Sequence, residues 1–453
     1  MMGNDIFCTE LYTMLTSMCR DCHKKGGVIR VHMGGIVYYG ITDQDDILTA
    51  ANACPEKNYV YDFAQPWLKN GLLTAHGAIW QRHRKLLNPA FNIRVLYGYL
   101  EIFNSQARSL VKDLSPKADK GPFDITSYIK MTAVKTLFLT NFGVDMLDDR
   151  QSLMSYIEAT DAIMNLLMRR IQHVWLYSDF IYKLSGYERK QNELIKILRD
   201  KSNLYHLIQN STLVINNFLN IFLISPGSTT NSKPFLELLL DLSKRGILTD
   251  DEVREEVDTA AVATFDTTSA ILFFTLANIG TYPHVQEKLQ EELKQIFGDS
   301  DRNVEKDDIS KLAYTDAVIN ETLRMYPTTP GVFRLVDRDV QLKNYVMPAG
   351  SQCILMIYGL NYGPSWGADA NQFRPERWLS PNELPPSSIH YASFGLGKRA
   401  CIGKSFALLS MKTSLVHLMR NYRVTADIKK IKIKFEFVIW PVSGHQICLE
   451  RRK

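Results

Sequence analysis

The chain has 453 residues, 45% hydrophobic and 22% charged, and its 53 basic and 48 acidic residues leave a net charge of +5. That balance excludes a disordered chain, a collagen-like fibre and a small disulfide scaffold, and the length is enough to bury a cofactor-sized interior without cross-links. Basic residues are interleaved with acids, as in Glu287-Lys288-Leu289-Gln290-Glu291-Glu292-Leu293-Lys294, so no basic run points to a nucleic-acid partner.

Residues 1–27 show no basic region followed by an apolar run, and no stretch approaches 18 consecutive apolar residues. They are expected to form an N-terminal segment without a signal peptide or membrane anchor. The seven scattered cysteines (8, 19, 22, 54, 353, 401 and 448) read as reduced thiols of a cytosol-facing protein. Val28-Ile29-Arg30-Val31-His32-Met33, Gly34-Gly35 and Ile36-Val37-Tyr38-Tyr39 predict a β-hairpin with a glycine turn.

From about 74 to 320 the pattern is mostly helical, with the clearest helices over 75–87, 250–278, 283–296 and 314–325. The second of these follows a Thr-Asp-Asp start with Glu252, and Pro283 suits the first turn of the next. The Asn-rich apolar stretch Tyr205–Ser232 reads as a loop between helices. Turns and strands follow over 327–356, a proline-rich loop over 375–386, a helix over 402–421 and strands over 430–450. The expectation is one mainly α domain over 28–453 with a small β-subdomain, its β-rich parts at about 28–60 and 330–380.

The strongest chemical signal is Phe394-Gly395-Leu396-Gly397-Lys398-Arg399-Ala400-Cys401-Ile402-Gly403. A lone cysteine ends a glycine-bearing loop and opens a helix, where backbone N–H groups favour a thiolate. Gly397 lets the backbone turn close to a flat ligand, and Gly403 keeps a side chain off the packing face. A buried inert cysteine is the competing reading, but it leaves the phenylalanine, both glycines and the arginine at fixed offsets unexplained.

This segment resembles the haem-binding loop of the cytochrome P-450 superfamily, F-x-x-G-x-R-x-C-x-G, with all five defined positions matched. The resemblance implies Cys401 as proximal iron ligand, Phe394 beside its sulfur, Gly403 beyond it and Arg399 on a haem propionate. A thiolate ligand pushes electron density onto iron and favours O–O cleavage. Glu321-Thr322-Leu323-Arg324 resembles the family's E-x-x-R, and Phe373-Arg374-Pro375-Glu376-Arg377-Trp378 its P-E-R-F motif. There the resemblance implies a structural network of Glu321, Arg324 and Arg377 behind the haem. Trp80 and Arg84 resemble W-x-x-x-R, implying propionate contacts, and Arg334 is a further propionate candidate.

Ala263-Thr264-Phe265-Asp266-Thr267-Thr268 resembles the distal motif A/G-G-x-D/E-T-T/S, which implies Asp266 and Thr267 as the acid–alcohol pair delivering protons to dioxygen. The bland alternative is a threonine bonded back to its own helix. Thr264 stands where the family has glycine. The stretch from Gly71 onward is most similar to the fourth family and its clan, especially insect members. Many of these carry a glutamate bonded covalently to haem where this chain has Ala263, so non-covalent haem b is expected.

Altogether the resemblance implies a haem-thiolate monooxygenase in which haem lies between a long distal helix and the Cys401 loop. Its electrons would come from NADPH through a flavoprotein reductase, with a cytochrome b-type donor as a second source. Lys398, Lys404, Arg82 and Lys85 are the candidate docking cations. The substrate would be a fatty acid, other lipid or xenobiotic, and the location the cytosolic face of the endoplasmic reticulum membrane. Alternatives are a haem-thiolate isomerase or dehydratase, and a non-catalytic haem- or ligand-binding remnant. Cys19-Arg20-Asp21-Cys22-His23 fits the c-type attachment pattern C-x-x-C-H, and is read as chance, with thiols at the surface.

Overall fold

The computed structural model describes residues 2–33, 35–143, 150–202, 233–385, 391–442 and 446–452, so Tyr205–Ser232 lies outside the described residues, as do 386–390 at the end of the proline-rich loop. Helix α1 (Met2–Lys24) buries Cys8, Leu15, Cys19 and Cys22 along one stripe. It packs on the short helix Ile357–Asn361 and on the strand Ile433–Phe435.

The expected hairpin forms from β1 (Val28–Met33) and β2 (Ile36–Ile41), paired from Val28↔Ile41 to Met33↔Ile36. Two later strands, β3 (Val332–Leu335) and β4 (Gln352–Leu355), complete a sheet in the order β1-β2-β4-β3. β2 and β4 run parallel, while β3 and β4 run antiparallel. An isolated antiparallel bridge joins Lys57 to Arg334 of β3. A second small sheet is formed by Phe123–Asp124, β5 (Tyr422–Thr425) and β6 (Gln446–Arg451).

Among the helices that frame the site are α2 (Gly77–Leu87), α3 (Leu100–Leu114), α4 (Thr126–Leu137), α5 (Arg150–Gln172), α6 (Asp250–Thr281), α7 (Ala313–Met325) and α8 (Lys404–Asn421). The 32-residue α6 starts with a capping box between Thr249 and Glu252, which satisfies two N-terminal backbone groups reciprocally. It packs against α4, α7 and α8. Its length and hydropathy would let it cross a membrane, but 67% of its most apolar window is buried inside the protein, as in a core helix. Phe273, Phe274, Ile279 and Leu276 join Leu415, Met419 and Leu323 in the largest apolar cluster. The expected α-rich fold with a small β part is what the chain adopts.

Candidate active site

Cys401 sits between a short 3-10 turn, Gly397–Arg399, and the start of α8. Its N–H donates to Phe394 O at 2.7 Å, closing the loop on the phenylalanine. Gly395 and Gly397 have φ of +76° and +64°, the left-handed region glycine tolerates. A Cβ on Gly397 would meet Asn52 Oδ1 at 2.8 Å and Ala51 O at 2.9 Å, so the Gln44–Ala53 helix presses directly on this turn. On Gly403 a Cβ would stand 3.8 Å from the Cys401 sulfur, an ordinary contact. The glycine there is not forced by crowding against the residues described.

Cys401 is accessible, yet desolvation dominates its acidity and pushes the thiol up. The N–H groups of Gly403 and Lys404 and the charges of Arg84 and Lys404 pull the other way without winning. The helix start favours the thiolate, as the sequence suggests, but burial outweighs it. A coordinated cation would deprotonate it.

Around this loop the structure gathers cations. Arg84 of α2 donates to Ala400 O at 2.8 Å. Arg399 donates to Pro55 O at 2.9 Å and Ala75 O at 2.8 Å, and its guanidinium lies 4.1 Å from the centroid of the buried Trp80 ring. Burial, then Arg334, pushes Arg399 down to about 9. The ammonium of the buried Lys57 has no hydrogen bond or ion pair among the described residues and rests 4.1 Å from the Tyr61 ring centroid. Burial, Arg334 and Arg399 hold it well below its usual range.

Arg334 Nε and one Arg399 terminal nitrogen are buried without a hydrogen-bond partner. The nearby acid, Glu56, is engaged by the Gly77 N–H at 3.0 Å. Two arginines with orphaned buried donors, beside a buried lysine with no carboxylate partner among the described residues, are costly unless an anion answers them. An anionic ligand with carboxylates to offer would answer that demand, and Cys401 supplies a sulfur donor beside it. Lys57 escaped sequence reasoning because no periodic element surrounds it; its bridge to Arg334 is a tertiary fact.

On α6, Ala263 is exposed and Thr264 and Thr267 are partly exposed, while Phe265 and Asp266 are buried. Asp266 and Thr267 are adjacent but differ in surroundings. Trp440 Nε1 donates to Asp266 Oδ1 at 3.0 Å, and Lys130 Nζ of α4 lies 3.5 Å from the same oxygen. Lys130 also donates to both oxygens of Asp161 on α5, at 2.7 and 2.9 Å. Burial lifts the Asp266 carboxyl to about 6 against the pull of Lys130. The partners that an acid in an apolar helix requires are thus Lys130 and Trp440, which the sequence reading did not name. The Thr267 hydroxyl donates to Ala263 O at 2.8 Å, the local bond weighed as the bland alternative, and its lone pairs stay available as acceptors.

Behind the loop, Glu321 and Arg324 of α7 are fully buried and paired through two bonds of 2.8 and 2.9 Å. Arg377 Nε, Trp378 Nε1 and the Arg374 N–H converge on the same carboxylate at 2.9–3.0 Å. Arg324 also donates to Asn361 O and Ala370 O. Every face of the glutamate is answered, so the network fixes the chain around the loop.

The c-type attachment pattern is differently placed than expected. Cys19 and Cys22 are buried in a cluster with Ile29, Tyr38, Ile354 and Met356, so these thiols are not at the surface. His23 Nε2 bonds Gly359 O at 2.8 Å. Of the docking candidates, Lys85, Lys398 and Lys404 are exposed, whereas Arg82 is committed to Glu252 and Ile247 O.

The Cytochrome P450 family model matches residues 1–449. Cytochrome P450 4c3 of Drosophila melanogaster is 30% identical over 98% of this chain and 85% of its own length. Cytochrome P450 4V2 of Homo sapiens is 32% identical over 92% of this chain and 80% of its own, and Cytochrome P450 4c21 of Blattella germanica 31% over 88% and 80%. A thiol loop backed by a fully answered Glu321 network and faced by unanswered cations, together with relatives spanning insects and mammals, makes this chain a member of the cytochrome P450 family, in its fourth-family branch, and a haem-thiolate monooxygenase.

Proposed function

We propose that the chain hydroxylates an apolar substrate, a fatty acid, other lipid or xenobiotic, with electrons from an NADPH-dependent flavoprotein reductase. Cys401 would bind the haem iron through its sulfur, with Phe394 and Gly403 on either side of it in sequence. Trp80, Arg84, Arg334, Arg399 and Lys57 would hold the propionates of a non-covalent haem b. The observation that carries this reading is the set of buried, unanswered donors on Arg334 and Arg399 beside the Cys401 loop. When bound, haem supplies dioxygen activation and the oxidising power for C–H hydroxylation.

The chain's own part is to exclude water, hold the cofactor and move protons. Asp161, half exposed, connects through Lys130 to the buried Asp266, giving protons a route from the surface. An acid near pH 6 exchanges protons readily at neutral pH. Thr267, one residue on, accepts a proton at its hydroxyl oxygen and donates its own. Lys85, Lys398 and Lys404 form the reductase face, where charge sets docking rate more than affinity. A cytochrome b-type donor would use the same face, and the cytosolic side of the endoplasmic reticulum membrane is the site of action.

The test is the difference spectrum of the reduced carbon monoxide complex, with product formation alongside. The wild type should show the long-wavelength Soret band of thiolate ligation, and Cys401→Ser should lose both band and turnover. Unchanged spectrum and turnover in that variant would end this reading. Acidified organic solvent should extract all the haem, because Ala263 offers no carboxylate for a covalent link.

A further inference from the structure

At the far end of α8 from Cys401 lies a cavity of about 380 Å³, between α3, α8, β5, β6 and the turn at Asp301. At 1.5 Å per residue, its lining residues His417 and Asn421 lie roughly 20–25 Å along α8 from the end next to Cys401. It is therefore separate from the haem site.

The charge here is lopsided. Arg108, Lys112, Arg451 and Arg452 line the cavity, with Asp301 as the acid. Arg108 meets Asp301 at 2.9 Å and Arg451 meets Asp119 at 2.8 Å, so those two cations are answered. Arg420 reaches Asp301 only at 3.7 Å and donates instead to the carbonyls of Ser300 and Arg302. Lys112 has no carboxylate partner among the described residues. Arg452 meets neutral acceptors, Tyr422 O at 3.1 Å and Gln286 Oε1 at 3.4 Å. Burial and Arg423 hold its guanidinium below the ordinary arginine range.

A simpler role for these cations is to offset the C-terminal ends of α3 and α8. Magnitude decides between the two. Each helix end carries about half a negative charge, so the two together offset about one unit. Lys112 and Arg452 bring two positive charges, and Arg420, behind the lining and 3.7 Å from Asp301, adds up to one more. His417 adds none, because burial, Arg108 and Arg420 push it down to about 4. An excess of about one to two remains, which suits a phosphate monoester, and arginine forks match phosphate oxygens.

We propose that this cavity binds the phosphate of a small phosphomonoester, with Lys112 and Arg452 as direct contacts, Arg108 and Arg451 as charged walls and Arg420 as a cation behind the lining. The volume takes a phosphate and a body of a few carbons. The same group comes either from a soluble ester or from an anionic lipid headgroup.

The haem-loaded full chain is titrated with glycerol 3-phosphate by calorimetry at constant ionic strength. In parallel it is sedimented with phosphatidylcholine vesicles with and without phosphatidic acid. Saturable binding to either probe is expected, weakened about tenfold in Lys112→Ala/Arg452→Gln, with the Soret band unchanged. Binding of the soluble ester assigns a soluble ligand, and binding of the phosphatidic acid vesicles alone assigns a headgroup. Lys112→Ala by itself alters one exposed helix position and should weaken binding at least threefold, so the test survives a double variant that fails to fold. No saturable binding of either probe, or equal affinity in Lys112→Ala, overturns the proposal.

Discussion

The Arg399 guanidinium stacks on the ring of Trp80, 4.1 Å from its centroid, although 319 residues of sequence separate the two. One terminal nitrogen of Arg399 stays buried and unpaired, as does Nε of Arg334. The tryptophan positions a cation whose remaining donor has no acceptor among the described residues, which on the proposed reading leaves it for a haem propionate. A desolvated cation–π contact is worth about 2 kcal/mol, or roughly thirtyfold in an equilibrium constant. Trp80→Leu should therefore speed haem loss by about that factor, read as transfer to apomyoglobin. Equal transfer rates in variant and wild type would separate Trp80 from cofactor retention.

Lys57 offers a sharper comparison, since its two readouts should move in opposite directions. In the folded chain it is buried beside Arg334 and Arg399, which repel it. Lys57→Met removes that repulsion, so the haem-free protein should resist urea better. It also removes one cation facing the propionates, so haem should dissociate several-fold faster. A variant that loses stability without haem, or keeps haem as tightly as the wild type, contradicts a propionate role for Lys57.

Glu321 accepts from Arg324, Arg377, Trp378 and the Arg374 backbone, all without water access to its side chain. Removing one member of a buried ionic network leaves the others uncompensated, at a cost of about 3–5 kcal/mol. Glu321→Gln keeps the shape but leaves the fully buried Arg324 without a carboxylate and the fully buried Arg377 with Asp369 alone, at 3.3 Å. It should yield protein that retains little haem and shows a thermal midpoint several degrees lower, by calorimetry. Wild-type haem content and midpoint would show that the network holds nothing in place.

The sequence made some of these features readable and hid others, for physical reasons. The Thr249–Glu252 capping box and the hairpin registered on Met33↔Ile36 are local, and residue types within a few positions determine them. The Glu321–Arg324 pair was legible because i and i+3 share a helix face, and the Cys401 loop because its glycines and arginine keep fixed offsets. α1 went unread. Its buried positions 8, 15, 19 and 22 recur at helical spacing, but three of the four are cysteines, which drew attention to thiol chemistry instead of packing. Lys57 against Arg334 and Lys130 against Asp266 join residues far apart in sequence, and nothing local marks either pair. At Cys401 the helix start is visible in sequence, whereas the desolvation that outweighs it depends on everything folded around it.

Gly397 tests how tightly that loop is made. Its φ of +64° disfavours any L side chain, and a Cβ there would come within 3.0 Å of the Ala51 backbone and Asn52. Backbone strain of this kind costs roughly 1–3 kcal/mol. Gly397→Ala should lower the thermal midpoint and displace the loop enough to weaken the long-wavelength carbon monoxide band. Gly403→Ala, whose Cβ meets only the Cys401 sulfur at 3.8 Å, should be much milder in stability. Equal effects from the two alanines would remove the distinction between a glycine required by φ and one placed in open contact.

Asp266 joins stability to function through one proton. Burial lifts its carboxyl from the ordinary 3.8 to about 6, with Lys130 and Trp440 pulling down and Asp161 and Glu436 pushing up. The folded state then binds more protons than the unfolded chain between about pH 4 and pH 6, so stability falls as pH rises through that window. Two pKa units correspond to about 3 kcal/mol. Asp266→Asn cannot ionise, so relative to the wild type it should gain stability progressively from about pH 4 to pH 7, with the lost Lys130 contact a constant offset. Urea midpoints of the haem-loaded protein across that range give the difference directly. The same variant should slow product formation about 10²-fold if Asp266 relays protons, with haem content and the carbon monoxide spectrum retained. Parallel pH–stability curves would show that burial does not raise this carboxyl. Undiminished turnover would show that protons reach the site by another route.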